Sequence, residues 1–444
     1  MDKSIVLGGE AGQGLVTVEK ILIKIIGQAG FHVFSTKEAM SLVRGGYNTT
    51  SLRISSQPVS AYVERIDLFV PLADGETKHL KARLSKETKI LARPQGDYAN
   101  TTAIGAICGA LKIDQKQAQQ VLADYFRKKG DKVVQDNLAA LGQGYSSAKE
   151  SFDLTPDKTL KGRLLINGAE AVDRGAIAGG CNFISSNPMS PSTGVLVYLA
   201  GWTKEVLAEQ AEDEISAINM GLGAWYAGAR ALVSTSGGGF ALMQEGMSLA
   251  GMTETPIVVH LAQRPGPATG LPTRTEQGDL DLALYSGHGE FPRIILAPGD
   301  LAEAFSLTAK AFDLADKHQS PVIILTDQYL MDSYYDIDQQ DLKNEPIKHH
   351  FVKTEKDYQR YVITESGLSL RGIPGSGEGL VHSDSDEHTE EGYITEDLEL
   401  RVKMVDKRLR KAKGILADAI EPTFIGQQNF ETLVISWGFN QRDS

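Results

Sequence analysis

"QAEDEISAINMGLGAWYAGARALVSTSGGG", residues Gln210–Gly239, decides the fold. Its first two-thirds reads as a helix in which Gly and Ala allow very close packing. "RALVST" then reads as a short, almost wholly apolar strand, and "SGGG" as a turn at its carboxyl end. The same alternation runs from Gly162 onward. "RLLIN", "CNFISS", "PIVVHLAQ", "RIILAP" and "PVIILTD" are further candidate strands, and "DLAEAFSLTAKAFDLADKH" is one of the intervening helices. Continuously apolar strands separated by helices predict a doubly wound parallel sheet covered on both faces. Ligands of such sheets bind beyond the carboxyl ends of the strands. Three loops fall at such ends: "SNPMSPSTG" after "FIS", "SGGG" after "RALVST", and "RPGPATGLPT" after "PIVVHLAQ".

Working outward, residues 1–145 read as a separate α/β domain. "SIVLGG" is a strand, "EAGQG" a loop, "LVTVEKILIKIIGQAG" a helix and "FHVFST" the next strand. "TSLRISS" and "IDLFVPL" follow as strands, and "DQKQAQQVLADYFRKKG" as an exposed amphipathic helix. Residues 146–161 are polar, lack periodicity and read as a linker. The sheet domain spans 162–340 and a connecting segment 341–428. Within that segment "HSDSDEHTEEGY" reads as an acidic surface loop. "TEDLELRVKMVDKRLRKAKG" is a helix with Thr395 as its cap, acids in its first turn, bases in its last, and Gly414 as its stop. Its charges read as a solvated face. "ETLVISWG" reads as the first strand of a further α/β domain occupying 429–444, which the chain breaks off.

The 444 residues suggest roughly three domains. A net charge of −12, with no long basic stretch, argues against nucleic acid as a partner. No apolar run reaches the ~20 residues needed to cross a bilayer, and the N-terminus carries no signal-peptide pattern. Two cysteines, Cys108 and Cys181, fit a reducing cytoplasm and are too few to hold an iron–sulfur cluster, which needs about four thiolates.

Several stretches carry chemistry. In "GGEAGQG" (Gly8–Gly14), glycines between a strand and a helix let backbone N–H groups approach an anion, and a tight turn explains them equally well. "VRGGYNT" (Val43–Thr49) sets an arginine beside two glycines, as a second anion loop or a plain turn. Glu212 and Asp213 complement a helix dipole. Glu214 differs if it faces the ligand edge: a buried carboxylate needs a partner, and a protonated ring nitrogen would serve. Arg264, at a strand end before a rigid loop, suits bidentate carboxylate recognition, or pairs with a nearby acid; Arg274 in the same loop can share that task. These residues alone describe an α/β enzyme with an anionic ligand.

Together the stretches resemble the 2-oxoacid:ferredoxin oxidoreductases, specifically an α subunit with a fused N-terminal γ domain and a C-terminal domain cut short. "GGEAGQG" and "VRGG" look like the γ domain. "AEDEISAINMGLGAWYAGARALVSTSGGGFALMQEG" and "RPGPATGLPTRTEQGDL" look like the domain that holds the pyrimidine end of thiamine diphosphate. The family loop Tyr-Pro-Ile-Thr-Pro stands here as Asn187-Pro188-Met189-Ser190-Pro191, so Asn187 departs from the pattern and bears on pocket shape and substrate choice.

The resemblance implies roles. Glu214 bonds the pyrimidine nitrogen, the Ser190 hydroxyl approaches the substrate's 2-oxo group, and Arg264 binds its carboxylate. Cofactor and cosubstrate contacts fall on Glu214, Pro188 and Ser190, and on Gly9, Gly12, Gly14, Arg44, Gly45 and Gly46. No metal ligand is expected on this chain. A β subunit carries the diphosphate, Mg²⁺ and a [4Fe-4S] cluster. Coenzyme A accepts the acyl group and ferredoxin the electrons, in a cytoplasmic heterodimer or dimer of heterodimers. 2-Oxoglutarate is the favoured substrate, ahead of pyruvate and branched-chain oxoacids. A non-oxidative thiamine-dependent decarboxylase and a non-catalytic paralogue are the alternatives.

Overall fold

The computed structural model describes residues 2–40, 46–73, 80–149, 151–157, 160, 163–343, 346–427 and 429–442. The chain divides into two compact units, Met1–Asn167 with Asp332–Asp341, and Gly168–Met331 with Leu342–Ser444.

The first unit begins with β1 (Asp2–Glu10), α1 (Leu15–Gln28), β2 (His32–Glu38), β3 (Tyr47–Ser55), β4 (Leu68–Pro71) and β5 (Lys89–Ile90). Three helices follow, α2 (Ala99–Ala110), α3 (Gln115–Phe126) and α4 (Asp131–Ser147), then β6 (Arg163–Asn167). The apolar spacing of α1 places Leu15, Val18, Ile21, Leu22, Ile25 and Ile26 in one buried cluster with Ile5, Leu7, Leu52 and Val70 from the strands. The stretch read as a linker is packed at two of its described residues. Phe152 is buried in this cluster and its N–H donates to the Ala110 carbonyl, while Asp157 N–H reaches the Gly30 carbonyl at 2.6 Å.

The second unit contains α5 (Gly168–Ala178), β7 (Phe183–Ser186), α6 (Thr193–Leu199), β8 (Leu207–Gln210), α7 (Glu214–Tyr226), β9 (Ala231–Thr235), α8 (Gly237–Leu242), α9 (Gln244–Met252) and β10 (Ile257–Gln263). It continues through α10 (Leu280–Leu284), β11 (Ile294–Leu296), α11 (Leu301–His318), β12 (Pro321–Asp327) and α12 (Gln328–Asp332). Its six strands are all parallel, in the order β11-β12-β10-β9-β7-β8. Every residue of β9, β10 and β12 is buried, as a two-faced parallel sheet requires. The α/β class and the parallel sheet expected from the sequence are both present.

Four local readings are corrected. "RLLIN" does not open the parallel sheet. As β6 it pairs antiparallel with β13 (Tyr334–Asp338), and the two extend the first unit's sheet to the order β5-β4-β1-β3-β2-β13-β6. The apolar run signalled a strand but not which sheet would receive it. "ETLVISWG" forms no strand: Val434 is 70% and Ile435 85% exposed. An apolar run needs a neighbouring strand to satisfy its backbone, and no described residue supplies one. The charged helix α13 (Leu398–Ala417) is capped by Asp397, whose carboxylate accepts from Glu399 N–H and Leu400 N–H, so Thr395 lies outside it; the helix also continues through Gly414. Nor is α13 wholly solvated. Met404, Lys407, Arg408 and Lys411 are buried, and the supposed surface loop before it buries His388 and tucks Glu387 against Arg408. Two short strands, β14 (Phe351–Val352) and β15 (Arg371–Gly372), pair in the segment between.

Candidate active site

The order in which the chain adds strands reverses at β7, which has β8 on one side and β9 on the other. The chain leaves β7 toward β8 and leaves β9 toward β10, in opposite directions. That divergence opens a crevice at the carboxyl ends of β7 and β9, where doubly wound sheets hold their ligands. The β7 loop with Asn187–Ser192 and the glycines Gly237–Gly239 that begin α8 are its two sides.

Glu214 is the first residue of α7, directly after the cap Asp213, whose carboxylate accepts from Ser216 N–H at 2.7 Å. Glu214 is 3% exposed. Its Oε1 accepts a hydrogen bond from Asn187 Nδ2 at 3.1 Å. Gly239 lies so close that a Cβ there would fall 2.6 Å from Glu214 Cγ. Glycine in the first turn of α8 is therefore needed for its close approach to the Glu214 carboxylate, which helix propensity alone would not call for.

Arg264, one residue beyond β10, is 9% exposed and donates from Nη1 to the Ser190 carbonyl at 2.7 Å. Burial pushes its guanidinium below the ordinary range, while the nearby Asp279 and Glu214 carboxylates oppose that shift. Its Nε is buried and makes no protein hydrogen bond. The three expected catalytic residues, Glu214, Ser190 and Arg264, thus converge on one crevice. Pro188 and Ser190 are exposed at its rim. Ser190 does not cap α6: that position belongs to Ser192, whose hydroxyl instead donates to the Met189 carbonyl at 2.6 Å.

Beneath the crevice a polar chain crosses the sheet. Ser186 Oγ donates to the Ser234 carbonyl at 2.6 Å, and the His260 ring bridges Ser234 Oγ and Thr326 Oγ1, each at 2.9 Å. Burial pushes the His260 pKa down to about 3, so the ring is neutral. Gln263 accepts from Asp279 N–H at 3.0 Å and fixes the loop that carries Asp279. Asp279 is half-buried, with one oxygen making no protein hydrogen bond, and burial raises its pKa. Sequence reading assigned no role to Asp279 or His260. An acid in the rigid loop after Arg264 was the available signal for the first; a histidine inside an apolar strand was the signal for the second.

The glycine loops lie in the first unit. Gly9 approaches Gln13 Oε1, and Gln13 also accepts from Glu10 N–H at 2.9 Å, which closes the turn. Gly12 and Gly14 have φ of 87° and 80°, and Gly14 starts α1 with no side chain capping it. Gly46 also has positive φ; Arg44 and Gly45 fall outside the described residues. Cys108 and Cys181 are buried free thiols, each pushed up to about 12 by burial. No helix among the described residues is long and apolar enough to cross a membrane.

Comparison with known proteins places the fold in a family. Residues 174–407 match the family "Pyruvate flavodoxin/ferredoxin oxidoreductase, thiamine diP-bdg". Residues 4–97 and 83–147 match "Pyruvate ferredoxin/flavodoxin oxidoreductase". The α subunit of a 2-oxoacid:ferredoxin oxidoreductase from a Sulfolobus species is 31% identical over 99% of this chain and 83% of its own. The 2-oxoglutarate oxidoreductase subunit KorA of Mycobacterium tuberculosis is 32% identical over 90% of this chain and 62% of its own. The solved structure of 2-oxoglutarate:ferredoxin oxidoreductase from Magnetococcus marinus, with 2-oxoglutarate, coenzyme A and succinyl-CoA bound, matches with a TM-score of 0.85 at 31% identity, over 95% of this chain and 80% of that one.

Proposed function

The chain belongs to the 2-oxoacid:ferredoxin oxidoreductase α-subunit family, and on that premise we propose that it takes part in the thiamine diphosphate- and coenzyme A-dependent oxidative decarboxylation of 2-oxoglutarate, with ferredoxin as electron acceptor. The observation that carries this reading is the convergence of Glu214, Arg264 and the Ser190 loop at the sheet's switch point. The substrate assignment is supported by relatives named for 2-oxoglutarate.

The donor set fits the pyrimidine end of thiamine diphosphate. A buried carboxylate at a helix start, held by a single neutral amide, suits an N–H of the ring. When bound, the cofactor supplies the nucleophilic carbon that adds to a 2-oxo group. Everything else falls to the chain. Glu214 would hold the ring through a hydrogen bond between its carboxylate and the ring nitrogen. Asn187 holds Oε1 and so orients the carboxylate. Arg264 faces the substrate carboxylate through the guanidinium edge not used by the Ser190 carbonyl, and the exposed Ser190 hydroxyl donates to the 2-oxo oxygen as charge builds there.

The first unit acts as a fused γ domain whose glycines Gly9, Gly12, Gly14 and Gly46, with Arg44 and Gly45, contact coenzyme A. A cytoplasmic β partner carries the diphosphate, Mg²⁺ and a [4Fe-4S] cluster, in a heterodimer or dimer of heterodimers. The test is reduction of a viologen dye by the co-expressed complex, screened across oxoacids with and without coenzyme A. Activity confined to 2-oxoglutarate and dependent on coenzyme A is expected. A preference for pyruvate would overturn the substrate, and absence of any oxoacid-dependent reduction would overturn the activity.

A further inference from the structure

Two carboxylates bracket the first turn of α8. A Cβ at Gly239 would fall 2.6 Å from Glu214 Cγ, and one at Gly237 would fall 2.4 Å from Asp279 Oδ1 and 2.5 Å from its Oδ2. Positions two apart on a helix point to opposite sides of it, so Glu214 and Asp279 approach the turn from its two flanks. Arg264 stands in the field of both. Burial pushes its guanidinium down, and Asp279 first, Glu214 second, oppose that shift. Among the described residues neither carboxylate is its ion-pair partner; its Nη1 donates to the Ser190 carbonyl at 2.7 Å instead.

Asp279 is fixed from behind. Its N–H donates to Gln263 Oε1 at 3.0 Å, and Gln263 Nε2 donates to the Thr326 carbonyl at 3.1 Å, which ties the residue to β10 and β12. Gln277, two residues earlier, donates to Asp327 Oδ2 at 2.8 Å and pins the same loop at a second point. The carboxylate itself gains little from this frame. Its Oδ2 is buried and makes no protein hydrogen bond. Burial and the Glu276 carboxylate raise its pKa, and Arg264 lowers it. A charge held without hydrogen bonds is costly to bury, and a neutral side chain would pack against Gly237 without that cost. The charge is left to act through space, and Arg264 is the cation it acts on.

We propose that Asp279 is a positioning residue that acts through Arg264: it offsets the guanidinium charge and so weakens the hold of Arg264 on the oxoacid carboxylate. The proposal rests on the reading of Arg264 as the carboxylate site. A buried guanidinium with no anion nearby binds a carboxylate tightly, and tight ground-state binding lowers KM without raising kcat. With Asp279 beside Arg264, the substrate carboxylate enters next to a second negative charge. The repulsion is present in the bound oxoacid. It is absent once the carboxylate has left as CO2, with the electron pair of the broken C–C bond kept by the remaining fragment. Asp279 thus raises the energy of the bound substrate more than that of the state that follows.

The test uses the full chain in its co-expressed complex. The probe is 2-hydroxyglutarate, which keeps the carboxylates of 2-oxoglutarate but has no 2-oxo group to react; lactate replaces it should pyruvate prove the substrate. Its Kd is measured by calorimetry for the wild type and for Asp279→Asn, which keeps the size and the N–H to Gln263 but loses the charge. Asp279→Asn should bind about 3–10-fold more tightly, and kcat and KM for the oxoacid should fall together. A merely structural role predicts weaker binding and a lower Tm. Asp279→Ser, smaller and neutral, repeats the test if the amide crowds Gly237. Equal or weaker binding by the neutral variants, in a complex whose wild type still reduces the dye, overturns this proposal alone. A wild type without oxoacid-dependent dye reduction overturns the proposed function and this proposal with it. If the hydroxy acid binds too weakly to measure, the two kinetic constants decide, and a change in only one of them overturns the proposal.

Discussion

Helices α7 and α13 both pack in the second unit, and they bury opposite kinds of face. The buried side of α7 is Glu214, Ala217, Ile218, Gly221, Leu222 and Trp225. That of α13 is Met404, Lys407, Arg408 and Lys411. The α7 face is chemically quiet except at its first residue, where one carboxylate enters the crevice. The α13 face is charged except at Met404, and its charges end on Glu254 and Glu387. A small-residue helix needs only proximity to be buried. A charged helix needs partners already waiting, and those partners lie far away in sequence. In the mechanism proposed above α7 contributes one residue, Glu214, whereas α13 works as a distributed clasp.

The largest effect should come from the residue proposed to bond the cofactor ring. Glu214→Gln keeps the shape and the Asn187 contact but removes the charge that favours a protonated ring nitrogen. Turnover should fall by about 10²–10⁴-fold, the usual loss for an acid/base group, with Tm unchanged. Steady-state rates and melting on the same preparation check this, and retention of more than half the activity would remove Glu214 from the mechanism.

The clasp should respond in the opposite way. Glu254 is fully buried, and despite the cost of burial Lys411, Lys407 and Arg360 hold its carboxyl well below the usual range. Glu254→Gln strands two lysines and should cost about 3–5 kcal/mol of stability, while the rate per folded molecule stays near that of the wild type. Replacing Glu254, Lys407 and Lys411 together with apolar residues should recover most of that loss, because a buried ion pair is about neutral against a packed hydrophobic set. Failure of the triple variant to recover would mean that α13 is held by something other than these charges.

The same contrast explains what was legible in the sequence. The parallel sheet could be read because β9, β10 and β12 are apolar on both faces, and a two-faced burial leaves a continuous run. Glu214 and Arg264 stood out as charges where buried elements end. Lys407 and Lys411 did not, since a lysine on a helix looks the same in water and beside Glu254, 153 residues away for Lys407. "RLLIN" had the correct period but not its sheet, because β13 pairs with it from more than 160 residues downstream. The link from Asn187 to Glu214 was hidden for the same reason: both residues were noticed, but only the crossover of β8 and α7 brings them to 3.1 Å.

Acid separates the two regions by a smaller amount. His260, under the crevice, has its pKa pushed down to about 3 by burial. Below about pH 6.5 the unfolded chain binds this proton and the folded chain does not, so stability is complete above that pH and declines beneath it. At pH 5 the loss is about 2 kcal/mol. Glu254 has a depressed pKa, so its contribution persists down to the ordinary glutamate range and fades only below it. Asp173, raised to about 6 by burial, acts in the opposite direction between pH 6 and 4. The readout is therefore a difference: Tm at pH 7 minus Tm at pH 5 should shrink in His260→Gln relative to wild type. An unchanged difference would mean that the ring is not held neutral.

The smallest effects should distinguish the two helices most finely. Both begin on an aspartate cap, Asp213 accepting from Ser216 N–H at 2.7 Å and Asp397 from Glu399 N–H at 2.9 Å and Leu400 N–H at 3.0 Å. Removing either cap, by Asp213→Ala or Asp397→Ala, should cost about 1 kcal/mol of stability. The consequences for turnover should differ. Glu214 follows Asp213 directly, so a frayed first turn moves its carboxylate away from Asn187 and the crevice. Asp397→Ala frays only Leu398–Leu400, which precede the buried Met404 and touch nothing in the crevice. Asp213→Ala should therefore lower turnover several-fold where Asp397→Ala leaves it unchanged, at matched losses in Tm. Asp213→Asn keeps a capping oxygen and should restore both rate and stability. Equal rates in the two alanine variants would show that Glu214 is placed by its packing against Gly239 and its bond from Asn187, and not by the turn that begins its helix.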